Sequence, residues 1–329
     1  MRNTNLTNVT MRNRRRFLPI LAAVAALGLV LAACGDDKTT TATDSGTGST
    51  TPKPSVTIGI QDFGESEVLA NVYGELLTAK GYEVKYKKLG GYRDVVYSTF
   101  AATSGGIDFT AEYAGSALEF LLKQAGKPTG VAGADAKANA DALRPLLKDL
   151  KLTAFAPAAA IDTNALVVTK DVATAKGLAK ISDLTPDLRL GGPPDCATNP
   201  FCIPGIKDSY GIDLSANFVS LDGGGPKTKA ALEGNEIDVA VIFSSDSSLA
   251  TKPWVALEDD KKLFTADAVI PVLTQKLADA GGESFESLID SVSAKLTTEK
   301  LIGMNKSFDV DKEDAKDIAK TFLTDAGLL

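Results

Sequence analysis

The 329-residue chain has no histidine. Its absence removes Ser-His-Asp and Cys-His catalysis, the commonest metal ligand, and the one side chain that ordinarily titrates near neutrality. Cysteine is almost as scarce, at three, and tryptophan occurs once. A serine nucleophile would need a lysine or another base beside it, and the serine run FSSDSS (243–248) has no Ser-x-x-Lys motif in a strand-to-helix setting. Paired carboxylates of glycosidase type are allowed by composition alone. A secreted hydrolase therefore stands as the remote alternative to a non-enzymatic binding role. No cofactor is expected.

Long apolar runs are also few, and the longest, of 17 residues, is FLPILAAVAALGLVLAA (17–33). The 33 residues that end with it carry five arginines and no acid, with Arg14, Arg15 and Arg16 just before the run. That order is the n-region and h-region of an export signal. The run meets Leu31, Ala32, Ala33, Cys34 and Gly35. A small-residue site ending at cysteine resembles a bacterial lipobox, which implies that residues 1–33 are a signal peptide and that Cys34 becomes a lipidated first residue. A transmembrane anchor with an incidental cysteine is the alternative, since 17 residues is the lower limit of a span.

Residues 34–54 are rich in Thr, Ser, Gly, Asp, Lys and Pro and almost devoid of apolar side chains, so they cannot bury enough surface to offset the entropy of ordering. They read as a disordered tether with a reach of roughly 25 Å. Setting aside the five arginines of the leader leaves 30 basic against 42 acidic residues, a net charge of −12. So acidic a body argues against nucleic acid or anionic lipid head groups as partners. The two remaining cysteines, Cys196 and Cys202, lie in PPDCATNPFCIPG. In an exported chain such a pair most simply forms a disulfide. A metal or redox pair would need partners that the sequence does not offer nearby.

The body alternates strands and helices. SVTIGI (55–60) is a β-branched strand, and Val68, Leu69, Val72, Leu76 and Leu77 recur at helical spacing before Gly81. YEVKYKKL, RDVVYSTFAATSGG and IDFTAEY continue as strand, helix and strand, giving β-α-β-α-β and a mostly parallel sheet. Pro145 is read as the first turn of a further helix. AIDTNALVVTK (160–170) is a strand crossing to a second half, where the alternation repeats, and AVIPVLTQKL (268–277) leads back to helices that fill the last fifty residues. Glu112 and Tyr113 end a strand and face a helix start at Gly115, where open α/β sheets bind small ligands.

The set VTIGIQDFGESEVLANVYGELL, GGYRDVVYSTF with GGIDFTAEYAGSAL, ISDLTPDLRLGGPPDC with PGIKDSYGI, ALEGNEIDVAVIFSSDSSL, VALEDDKKLF and PVL resembles the substrate-binding proteins of osmoprotectant (glycine betaine, choline, carnitine) ABC importers. The resemblance implies an α/β two-lobe periplasmic-binding-protein fold of type II. Each lobe would be a mixed, mostly parallel sheet flanked by helices, with the ligand cleft between the lobes. Lobe I is expected over 55–160 together with the C-terminal helices from about 275–329, and lobe II over 161–274. The implied partners are a small-molecule ligand, an ABC permease and its ATPase subunit, and the membrane through a lipid on Cys34. The protein is expected to be a monomer on the outer face of the cell membrane.

Quaternary ammonium ions have no hydrogen to donate and are held against aromatic faces, and a betaine carboxylate needs donors such as those at a helix N-terminus. Tyr113 stands at the family's Glu-Tyr-Thr-Gly position. Other cage positions depart from the family: Asn164 stands where it commonly has tyrosine, and Asp267 near a second aromatic position. Tyr92 follows Gly90 and Gly91 where threonine is usual. Two expectations follow. Tyr92 and Tyr113 with Phe63 or Phe243 rebuild a smaller cage for a betaine-like cation, with Asp267 or Asp246 adding negative charge; alternatively, a more polar ligand hydrogen-bonds to Asn164. Asp62 in the first loop is a further candidate contact.

Overall fold

The computed structural model describes residues 53–90 and 93–329. Tyr92, Cys34 and the segments read from the sequence as a signal peptide and, for the most part, a tether lie outside the described residues. The first lobe opens with β1 (Val56–Ile60), α1 (Gly64–Ala79), β2 (Val84–Lys88), α2 (Arg93–Phe100), β3 (Phe109–Tyr113), α3 (Ala114–Gln124), α4 (Ala136–Asp149) and β4 (Leu152–Ala154). The second holds β5 (Asn164–Thr169), α5 (Lys170–Lys176), β6 (Leu190–Gly192), α6 (Ile203–Tyr210), β7 (Phe218–Ser220), α7 (Pro226–Glu233), β8 (Val239–Phe243), α8 (Ser248–Thr251) and β9 (Trp254–Ala256). Then come β10 (Val269–Thr274), α9 (Gln275–Ser293), α10 (Thr298–Asp309) and α11 (Ala315–Asp325). Among the described residues no helix is long and apolar enough to cross a membrane.

The strands form two five-stranded sheets, β2-β1-β3-β10-β4 and β7-β6-β8-β5-β9. In the first, β1 is parallel to β2 and β3, while β10 is antiparallel to β3 and β4. The second repeats the plan: β6 is parallel to β7 and β8, and β5 is antiparallel to β8 and β9. In each sheet the strand that opposes its neighbours is the one arriving from the other lobe. Because β10 belongs to the first sheet, the return crossing lies before Val269, ahead of the boundary at 274 read from the sequence.

Burial explains which residues take which element. Every side chain of β3 is buried, as expected for a central strand covered on both faces. β2 is the edge strand, and its lysines keep the edge from pairing further. Tyr73, Phe109 and Phe285 are fully buried where α1 and α9 meet the first sheet, and the Tyr73 hydroxyl meets Ser293 Oγ at 3.2 Å. Tyr82 and Phe155 set their rings edge-on to Phe285, with centroids at 5.3 and 6.2 Å. Helix α9 is broken at Gly282, whose φ of +62° is a conformation that favours glycine.

Pro145 lies inside α4 and does not begin a new helix. A proline there costs about 3 kcal/mol. Leu143, Leu146 and Leu147 are all buried around it, each worth roughly 1.5–3 kcal/mol on burial, so packing carries the helix past the proline.

Two segments cross between the lobes side by side. Ala158 N–H donates to the Val269 carbonyl (2.8 Å), Val269 N–H to the Ala160 carbonyl (3.0 Å) and Asp162 N–H to the Asp267 carbonyl (3.0 Å), with an antiparallel bridge between Ile161 and Ala268. The chain enters and leaves the second lobe along one short ribbon.

Candidate functional site

A cavity of about 730 Å³ lies between the two sheets, within the range of small-molecule sites. The first lobe supplies Phe63 and Glu65 from the turn into α1, and Tyr113, Gly115 and Ser116 from the junction of β3 and α3. The second supplies Phe243 at the end of β8 and Ser245 and Asp246 just after it, with Asn199 and Phe201 from the cysteine loop. The crossings add Asp162 and Asp267, the start of β5 adds Asn164, Phe264 comes from the second lobe's core, and α10 adds Asn305 and Asp309. Parallel strands of both sheets thus point their carboxyl ends at one space.

Glu65 is the acid that ties the first lobe's strand end to α10. It is buried in the first turn of α1 and accepts hydrogen bonds from the Tyr113 hydroxyl and from Asn305 Nδ2. Burial pushes its carboxyl above the usual range, against the pull of those donors. Asn305 Nδ2 also donates to the Ser245 carbonyl at 2.9 Å, so a helix packed on the first lobe reaches the second across the cavity. Asp162 lies nearby and accepts from Ser245 Oγ at 2.7 Å. Burial, then the charges of Glu65 and Asp267, push its carboxyl up to about 7. Tyr113 is raised well above the ordinary tyrosine range, first by burial and then by Glu65.

A second cluster surrounds the start of α3. Asp267 Oδ1 accepts from the Ser116 N–H at 2.8 Å, and Oδ2 accepts from the Ser116 hydroxyl. Gly115 permits this approach, because a Cβ there would lie 2.3 Å from Thr265 Cγ2. Burial raises the Asp267 carboxyl, opposed by Ser116 and by Arg93. Arg93 Nε donates to the fully buried Glu112 at 3.1 Å. Among the described residues lining the cavity there are six carboxylates and one cationic side chain, Arg93.

The aromatic faces are uneven. Phe63 and Phe243 are 40% and 47% exposed, unusual for phenylalanine, and both line the cavity. Phe63 and Tyr113 are neighbours, with ring centroids 6.3 Å apart and planes tilted by 37°. Tyr113 itself is buried, with its hydroxyl committed to Glu65.

The sequence-derived residues therefore separate. Tyr113, Phe63, Asn164, Phe243, Asp246 and Asp267 line the cavity. Asp62 does not: it is exposed in the turn before α1, and Glu65, three residues on, supplies the acid instead. Asp246 is tied to Lys229 Nζ at 2.6 Å and to the Ser248 N–H at 2.8 Å, so its charge is already matched. Cys196 and Cys202 are buried with Cα atoms 5.1 Å apart, within the span of a disulfide. The residues that sequence reasoning missed are Glu65, Asp162, Ser116, Arg93 and Asn305. Glu65, Arg93 and Ser116 carried a local signal, each ending a loop at the carboxyl edge of a strand; Asp162 and Asn305 carried none.

Residues 54–325 match the family described as the substrate binding domain of ABC-type glycine betaine transport systems. The chain belongs to this family. It is 26% identical over 283 residues to the glycine betaine-binding protein YehZ of Escherichia coli (strain K12), covering 83% of this chain and 90% of that protein. A crystal structure of a glycine betaine/carnitine/choline ABC transporter protein superposes with a TM-score of 0.72 at 23% identity, covering 83% of this chain and 99% of the other. Lactococcal OpuAC, solved closed with glycine betaine, gives 0.54 at 14% identity, covering 84% and 96%. These likenesses establish the type II periplasmic-binding-protein fold. As the substrate-binding domain of an importer, the chain takes up a small ligand on the extracytoplasmic side and works with a permease and its ATPase.

Proposed function

We propose that this substrate-binding domain captures a small quaternary-ammonium osmoprotectant of the glycine betaine or choline type and hands it to the permease without chemical change. The observation that carries the proposal is the pairing of two exposed phenylalanine faces, Phe63 and Phe243, with a cavity whose carboxylates outnumber its cations. A cation without N–H groups is held by ring faces, each worth about 0.5–2 kcal/mol, and by nearby negative charge. Tyr113 fixes the acid wall by binding Glu65, and Asn164 offers an amide at the cavity edge. The lobes close about the paired crossings, and a lipid on Cys34 keeps the body at the membrane as a monomer.

Thermal-shift and intrinsic-fluorescence titrations with choline, glycine betaine, carnitine, proline and ectoine test this directly. One of the ammonium compounds should raise the melting temperature saturably, since a ligand at 100 times its dissociation constant stabilises by about 2.7 kcal/mol. A response to proline or ectoine alone would move the assignment to a more polar solute bound through Asn164. No response to any of the five overturns it.

A further inference from the structure

In an acid-lined cavity, a zwitterion places its own carboxylate at a cost that a simple cation does not incur. It must find donors to offset that cost, and the cleft offers three obvious ones: the N-terminus of α3, the guanidinium of Arg93 and the cationic Lys229 behind Asp246. Each is already engaged by an acid of the protein. The Ser116 N–H and hydroxyl are both held by Asp267, and the Ala114 N–H is held by the Ala268 carbonyl. Arg93 binds the buried Glu112 and also faces the charge of Asp267. Lys229 is paired with Asp246, which in turn accepts from the Ser248 N–H.

Asp267 holds a commanding place in this arrangement. It sits on the return crossing, and the close approach permitted by Gly115 brings its carboxylate against the first turn of an 11-residue helix. That is the position an incoming carboxylate would take, attracted by free N–H groups and by the positive end of the helix dipole.

We propose that Asp267 is the specificity-determining residue of the cleft: its carboxylate occupies the anion position at the start of α3, so the site selects a carboxylate-free alkanolammonium of the choline type over a zwitterion of the betaine type. This deepens the proposed osmoprotectant reading and rests on it. Choline brings a cation and a hydroxyl, which need no anion position. Glycine betaine brings a carboxylate that must displace Asp267 from the start of α3 or lie beside it, with only the Asn164 amide and the outer N–H groups of Arg93, a cation already matched by Glu112, left to receive it.

Calorimetric titration of the full chain with choline chloride and with glycine betaine separates the possibilities. The native protein should bind choline at least tenfold more tightly. Asp267→Ala frees the Ser116 donors and removes a charge, so betaine should gain and choline lose, shrinking the ratio at least tenfold. Asp267→Asn removes the charge but leaves an acceptor for the Ser116 N–H. It should weaken choline without improving betaine. Melting curves report whether each variant folds, and if Asp267→Ala does not, the native ratio and Asp267→Asn decide. Equal affinity of the native protein for the two ligands, or a change by the same factor for both in a folded variant, overturns the role of Asp267 while leaving the osmoprotectant reading intact. Failure of the native protein to bind either ligand overturns the role of Asp267, and the osmoprotectant reading with it if carnitine too gives no thermal shift.

Discussion

Ligand affinity should rise with pH between about 5 and 8, and Asp162 should be the main reason. Its carboxyl is pushed from 3.8 up to about 7 by burial, by Glu65 on α1 and by Asp267 on the neighbouring crossing, with Ser245 pulling the other way. Below about 7 the folded cavity therefore holds a proton on Asp162 that a bound cation would favour releasing. Each pH unit below that value should cost up to about tenfold in affinity, so the loss between pH 7 and pH 5 approaches about a hundredfold. For the ligand-free protein the sign is opposite. Over the interval from 3.8 to about 7 the folded state binds the proton and the unfolded state does not, so stability falls as pH rises and is lowest above about 7. At about 1.36 kcal/mol per unit, the destabilisation is at most about 4 kcal/mol. Glu65, Asp267 and Asp309 are raised in the same direction. With no histidine in the chain and the α-amino group aside, no ordinary group competes in this window. Calorimetric titration at pH 5, 6, 7 and 8 on the native protein and on Asp162→Asn measures the effect. The variant should show a much flatter profile and should melt higher than the native protein at pH 8. A flat native profile, or tighter binding at pH 5, would refute the reasoning; a slope unchanged in Asp162→Asn would refute the assignment to that residue.

Tyr113→Ala removes a ring beside Phe63 and the donor on Glu65. At about 0.5–2 kcal/mol per cation–π contact, ammonium affinity should fall roughly 2- to 30-fold in equilibrium titrations, and Tyr113→Phe should lose less because it keeps the ring. Free-thiol counting on denatured, unreduced Cys34→Ser protein should find none, since Cys196 and Cys202 are placed to bond; replacing both by serine should cost about 2 kcal/mol by loop-closure entropy. In cell fractionation, Cys34→Ser should move the protein from the membrane to the soluble exported fraction.

The alternation of strands and helices was legible because both sheets are built from short β-branched runs followed by amphipathic helices, and periodicity reads those locally. Tyr113 could be placed for the same reason, at a strand end before a glycine. What remained hidden came from long-range closure. Asn305 meets Glu65 across 240 positions of sequence, and Asp267 meets Ser116 across 151; nothing near either residue announces its partner. An acid in a first helical turn, such as Glu65, ordinarily answers the helix dipole at the surface. Only the approach of β3 and α10 makes it a buried wall. Pro145 misled in the opposite sense, because local propensity favoured a helix start where three buried leucines sustain a continuous helix.

The paired crossings place Asp162 and Asp267 on the one short ribbon that joins the lobes, linked by the hydrogen bond from Asp162 N–H to the Asp267 carbonyl. A cation seated there neutralises charge at the axle and not at the jaws. A rotation of a few degrees about such an axle would sweep a longer arc at Asn199 and Phe201 of the cysteine loop, which line the cavity from the second lobe. On the proposed reading, recognition and trapping would fall to different residues: acids on the ribbon would decide which solute is accepted, and the cysteine loop how long it is kept. Changes in the cysteine loop should alter residence time far more than selectivity.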